Sequence, residues 1–191
     1  MIKDTFQEKD KFQLIIEKIK KNYKILISII GICLLILFVY LFIQNNIKKE
    51  NINISEDFNQ ARILISQDKK NEGKNILFKI VEKKNKFYSP LSLFVIIDQK
   101  LEEDNQKITE MFDKVISIKG IDEENKDLIK IKKALFLTEF ADEDIIIKTL
   151  NPIINSKSVW RSDAINLLGD FFTNRGENFK AKEYYDLLKI K

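Results

Sequence analysis

The chain has 191 residues, 45% hydrophobic and 32% charged, with a formal net charge of +4. It contains no His and one Cys, which excludes an intramolecular disulfide, a His- or Cys-based metal site and His-dependent acid–base chemistry. Five Gly and two Pro are few for this length and favour helices joined by short turns over a many-stranded sheet.

The charge is unevenly spread. Residues 1–24 carry seven Lys against four acids, a net +3, and residues 25–43 carry none. The remaining 26 basic and 25 acidic residues leave +1. A near-neutral remainder with interspersed signs lacks the basic patch of a nucleic-acid binder, so no nucleic-acid partner is expected. Residues 1–24 read as a basic, amphipathic cytoplasmic tail. Phe12, Ile15, Ile16, Ile19 and Tyr23 share one helical face, which either docks on the inner leaflet or forms the stem of the next helix.

Residues 25–43, ILISIIGICLLILFVYLFI, predict a transmembrane helix. Fifteen of the nineteen are Ile, Leu, Phe or Val. At about 1.5 Å per residue the run reaches roughly 28 Å, close to the ~30 Å hydrocarbon core. Each such residue near the centre contributes about −0.3 to −0.6 kcal/mol to insertion, whereas one central Lys would cost about 3. Tyr23 and Tyr40 lie near the ends, where aromatic rings prefer the interface. The n-region is long, the run exceeds an h-region of about 7–15 residues, and no small-x-small site follows. Ile32 before Cys33 is too large for lipoprotein processing, so an uncleaved anchor is expected. Five Lys fall in residues 10–24 and two in 44–58, which predicts a cytoplasmic N-terminus and an exported C-terminal domain.

A short linker is expected over 44–53 and an all-α periplasmic domain over 54–191. Apolar stripes at helical spacing run through Ile63 to Ile65, Ile76 to Val81, Leu91 to Ile97, Ile108 to Ile116, Leu128 to Leu137, Ile145 to Ile154, Ile165 to Phe172 and Tyr184 to Leu188. That makes eight helices of about 12–17 residues. Ser89-Pro90 puts Pro at a helix start, where its missing N–H costs nothing. Taken in pairs, the helices fit the tetratricopeptide frame, an α-solenoid of about four antiparallel pairs with small residues at the crossings. The last pair fits best: Leu168, Gly169, Phe172, Gly176, Ala181 and Tyr185 occupy its marker positions. Ala61 and Gly73 take the two small positions in the first pair, and Ala134 the first in the third. The second pair has Ile96 and Ile108 there. From Ala61 through Ile96 and Ala134 to Gly169 the steps are 35, 38 and 35.

This order of parts resembles the YfgM-like ancillary subunits of the SecYEG translocon. The likeness is sharpest in Val159-Trp160-Arg161, Ala164, Leu168-Gly169-Asp170, Gly176, Ala181 and Tyr185. It implies a single-pass protein of the bacterial inner membrane that does not catalyse. Its repeat domain would tether exported polypeptides or periplasmic chaperones near the export channel. The eroded second pair departs from the family. The last helix, through Lys182, Glu183, Asp186 and Lys189, is expected to serve as its own polar cap or to be covered by a partner.

No enzyme chemistry is expected. Ser and Thr lack a His to activate them, and Gly-rich phosphate loops are absent, so no cofactor, metal or small-molecule substrate is assigned. The acidic clusters at Glu102 to Asp104, Asp122 to Glu124 and Asp142 to Asp144 each precede a helix and read as caps. Trp160 is expected to pack between the third and fourth pairs. The inner face of the repeats would present Arg62, Leu93, Ile97, Leu135, Asn166 and Asp170 to a polypeptide ligand. The rival reading is a structural envelope scaffold that organises a cell-division or outer-membrane assembly complex.

Overall fold

The computed structural model describes residues 23–189, so Phe12, Ile15, Ile16 and Ile19 of the tail lie outside the described residues. Most of the described residues are helical, with no strand among them. The helices are α1 Tyr23–Ser66, α2 Lys70–Glu82, α3 Tyr88–Asp98, α4 Asn105–Ile116, α5 Glu123–Leu137, α6 Glu143–Ile154, α7 Arg161–Asn174 and α8 Asn178–Asp186. A 3-10 turn, Leu187–Lys189, closes the described chain.

α1 holds the apolar run and is long and apolar enough, by length and composition, to cross a membrane. Its side chains there, such as Leu35 and Phe38, are exposed. Residues 44–53, read as a short linker, are helical throughout. They contain neither Gly nor Pro, so nothing in them stops a helix entering from the apolar run. The chain divides into two units, Met1–Ile52 and Asn53–Lys191. Within the second, α1 becomes one-sided: Ile54, Phe58 and Ala61, at i, i+4 and i+7, are buried.

Each helix from α2 onward packs against the next in the chain, and α5 also reaches α7. The interior of the second unit forms two apolar clusters. The first gathers Ile54, Leu77, Ile80, Leu93, Phe112 and Val115, and runs from α1 to Ile129 in α5. The second starts at Ala134, further along the same helix, and gathers Leu137, Ile146, Leu150, Leu168 and Phe172. Each fully buried side chain of this kind contributes about 1.5–3 kcal/mol relative to exposure. The interior is therefore laid out in chain order, with α5 as the joint between its two parts.

Helix ends follow local chemistry. The Asp104 carboxylate accepts from the amides of Gln106 at 2.9 Å and Lys107 at 3.2 Å, capping α4. Asp122 caps α5 through Asn125 N–H at 2.9 Å. Asp142 stands at the start of α6 but makes no side-chain capping bond. The turns after α1, α3 and α7 share one pattern. Lys69, Leu101 and Glu177 N–H donate back to the carbonyls of Leu64, Ile96 and Phe172, each at 2.9 Å. The residue before each donor, Asp68, Lys100 and Gly176, has φ of 62°, 49° and 77°. Left-handed termination of this kind satisfies the last helix carbonyls.

Candidate functional site

That shared turn corrects the register read from sequence. Aligning residues 68, 100 and 176 puts Leu93 and Asn105 where Ala61 and Gly73, and Gly169 and Ala181, stand in the first and last pairs. Ile96 and Ile108 do not take those places. Leu93 is completely buried in the first core cluster, so it leaves the set expected to face a ligand. α3 is apolar nearly all round, and its sequence alone did not say which side points inward. Buried Ser89 and Ser92 mark that side with Leu93 and Ile96, and Ser89 Oγ donates to Ile80 O at 2.7 Å. Ile97 is half-buried against the same cluster. Arg62, Leu135, Asn166 and Asp170 are exposed, but the Tyr185 hydroxyl donates to the Asp170 carboxylate at 2.6 Å. That bond raises the Tyr185 pKa above its ordinary value.

The small residues sit at close approaches. A Cβ on Gly73 would lie 2.9 Å from Ala61 O and 2.6 Å from Ile65 Cγ1. A Cβ on Gly169 would lie 2.3 Å from the Tyr185 ring, so there a side chain, not the facing backbone, demands glycine. Gly176 has open space around it, and glycine adopts its φ of 77° without the cost a side chain would add. Ala61, Ala134, Leu168, Phe172 and Ala181 are buried, and the Phe172 ring stacks on Tyr184 at 5.4 Å. Trp160 is half-buried against the second cluster. Arg161 beside it makes a clasp that sequence patterns did not disclose. Its Nε donates to Ile154 O at 2.9 Å and its Nη2 to Leu187 O at 3.1 Å, supplying carbonyls at two helix ends.

Polar links also join elements about one helix pair apart in sequence. Glu124 Oε2 accepts from Ser158 Oγ at 2.8 Å and Val159 N–H at 3.1 Å, tying the start of α5 to that of α7. Lys180 on α8 pairs with Glu143 on α6 at 3.0 Å and with Glu177 at 2.8 Å. The Glu177 bond, then the Glu143 bond, raises the Lys180 pKa, and Lys180 and then Arg175 lower that of Glu177. Lys114 on α4 pairs with Glu82 on α2. No spacing rule short of knowing the fold would single out these partners.

The candidate site is a cleft of about 350 Å³ between α3 and α5, near the lower end of the range for ligand pockets. Phe87, Pro90, Leu91 and Phe94 form one wall, and Ile121, Leu128 and Ile129 the other. The face expected from sequence took Leu93 and Ile97 from α3 and Arg62, Leu135, Asn166 and Asp170 from other helices, and none of the six lines this cleft. The cleft residues 87, 90, 91 and 94 follow helical spacing opposite the buried Ser89, Leu93 and Ile96. Asn85 fixes the first wall: its Oδ1 accepts from Phe87 N–H at 3.0 Å and Tyr88 N–H at 2.9 Å. Gly120, at φ +86°, and the Asp122 cap fix the second. Phe87 is 60% exposed and packs edge-on to Tyr88. Lys86 stands at the rim, and Lys132 Nζ lies 4.8 Å from the centre of the Phe94 ring. The Asp122 pKa is lowered by the Asn125 backbone and side-chain hydrogen bonds.

Among the described residues no three Cys, Asp or Glu side chains gather closely enough to hold a metal ion. The cleft presents apolar wall, cation and amide, an arrangement suited to holding a side chain. No family model matches the chain, and no curated protein matches it.

Proposed function

We propose that the chain is a non-enzymatic, membrane-anchored scaffold of about four stacked tetratricopeptide-like helix pairs, ancillary to the SecYEG export channel. Its tail lies in the cytoplasm, α1 crosses the bacterial inner membrane, and α2 to α8 lie in the periplasm. The domain tethers exported polypeptides or periplasmic chaperones near the channel exit. Anchoring raises its local concentration there, so weak contacts suffice.

The observation that carries the reading is the recurrence of one turn after α1, α3 and α7 in a chain that also holds a membrane-length apolar helix. The links 124 to 158 and 143 to 180 join elements one helix pair apart, as a stacked array requires. Two interior clusters in chain order fit the same picture. The Lys distribution about the apolar run supports the orientation. In the stretch that most resembles the YfgM-like subunits, Arg161 links α7 to the end of α6 and to the terminal turn, and Trp160 packs against the second cluster.

The test is crosslinking in cells followed by mild-detergent purification of the full chain. Recovery of translocon subunits or periplasmic chaperones above background is expected. Their absence, or a set made up of cell-division or outer-membrane assembly proteins, would refute the export role.

A further inference from the structure

We propose that the α3–α5 cleft is the polypeptide-binding subsite of the domain, and that it takes segments in which a large apolar side chain lies beside carboxylates. The ligand class rests on the scaffold reading above; the position and the charge preference come from the cleft itself. Its walls are Phe87, Leu91, Phe94 and Leu128, and Phe87 leaves most of its ring in solvent. An apolar recess of about 350 Å³ suits one or two side chains, not a folded surface.

The charges at the cleft are unequal in what they have left to give. Lys86 and Lys132 have no carboxylate partner among the described residues, whereas the carboxylate of Asp122 accepts from both the backbone and the side-chain amide of Asn125. Its negative charge is held at the α5 N-terminus, where the helix dipole also takes it up. The two lysines are therefore the free charges at the rim, and Lys132 sits directly over the Phe94 wall. A ligand carboxylate beside an apolar anchor can pair with Lys86 at the Gly120 end of the cleft or with Lys132 over Phe94. The walls are set by the Asn85 cap and the Asp122 cap, so the cleft is formed before a ligand arrives and little ordering is required on binding. The apolar surface is recessed between two helices, where an extended peptide side chain reaches and a bilayer surface does not.

The experiment titrates short fluorescent peptides onto the full chain in neutral nanodiscs. One peptide carries Leu and Phe flanked by Asp, one has Lys in place of Asp, and one has Ala in place of Leu and Phe. The acidic–apolar peptide is expected to bind about tenfold more tightly than its basic counterpart, and less so at high salt. The Ala peptide is expected not to bind. The paired reversal Lys86→Glu and Lys132→Glu, both on exposed side chains, should invert the preference with only a small drop in the melting midpoint, from the lost contact of Lys132 with the Phe94 ring. Phe87→Ala should weaken both charged peptides. Equal binding of all three peptides, a preference unmoved by the double reversal, or capture of phosphatidylglycerol vesicles with no peptide binding would overturn the proposal. If crosslinking recovers translocon subunits and the peptides fail, the cleft assignment falls alone. If the peptides bind and crosslinking recovers no translocon subunit or chaperone, the export role falls alone.

Discussion

The last helix pair, α7 and α8, and the second, α3 and α4, reach the same turn with different residues. In the last pair Gly169 admits the Tyr185 ring, Gly176 supplies φ of 77°, and Ala181 is buried. In the second, Leu93, Lys100 and Asn105 hold those three places, and Lys100 adopts φ of 49° with a full side chain. Both turns nevertheless close with a 2.9 Å bond, from Glu177 N–H to Phe172 O and from Leu101 N–H to Ile96 O. The turn is thus set by helix termination and burial, and glycine only makes it easier. Motif residues find such a pair when they are present and miss it when they are not.

The comparison breaks most sharply at the interior. Phe172 is fully buried, and Phe172→Ala should cost about 3–5 kcal/mol in urea unfolding of the full chain. A loss under ~1 kcal/mol would mean that the last pair does not depend on that ring. Gly73→Ala should cost about 1–3 kcal/mol, because the new methyl meets the Ala61 carbonyl and backbone yields poorly. Gly169→Ala should cost less, since the Tyr185 ring can swing away at the expense of its bond to Asp170.

The turns sharpen the contrast on a smaller scale. Gly176→Ala should destabilise by about 1 kcal/mol and Lys100→Gly should stabilise by up to about 1, each read as a shift in the unfolding midpoint. Opposite signs would show that the two turns need the same conformation. The smallest expected effect is of pH. The Asp104 amide, then Lys74, then the Glu103 amide lower the Glu102 pKa, as Asn125 does for Asp122 and Lys180 and Arg175 for Glu177. A carboxylate with a lowered folded pKa lends stability above its unfolded value, and that stability is lost as pH falls through the folded one. The unfolding midpoint should stay level down to about pH 5 and fall below about pH 4.

The sequence made the apolar run and the later helical stripes legible, because hydrophobic spacing is a strong signal over a dozen or more residues, but it read as two helices what α1 joins into one. It also showed Gly73, Gly169, Gly176 and Ala181, whose smallness has a local cause. It did not show that residues 44–53 are helical, because Asn-rich sequence looks like a linker until a strong helix enters it. It misplaced the second pair by three residues, because Lys100 carries no mark of a left-handed turn and α3 is apolar on nearly every side. The cleft escaped for the same reason: Phe87, Leu91 and Phe94 resemble core residues until α3 is seen turned with Ser89 and Ser92 inward. The Arg161 and Glu124 clasps join residues 26 and about 35 positions apart, which only a folded chain brings together.

The central claim is that the helix pairs stack in chain order, each held chiefly by its neighbours. Native-state hydrogen exchange on the full chain in nanodiscs, with and without Phe172→Ala, tests it most directly. The account predicts faster exchange in α6, α7 and α8 with α2 and α3 unchanged, since these belong to different interior clusters. Equal acceleration of α2, α3, α7 and α8 would mean a single cooperative core and would contradict it.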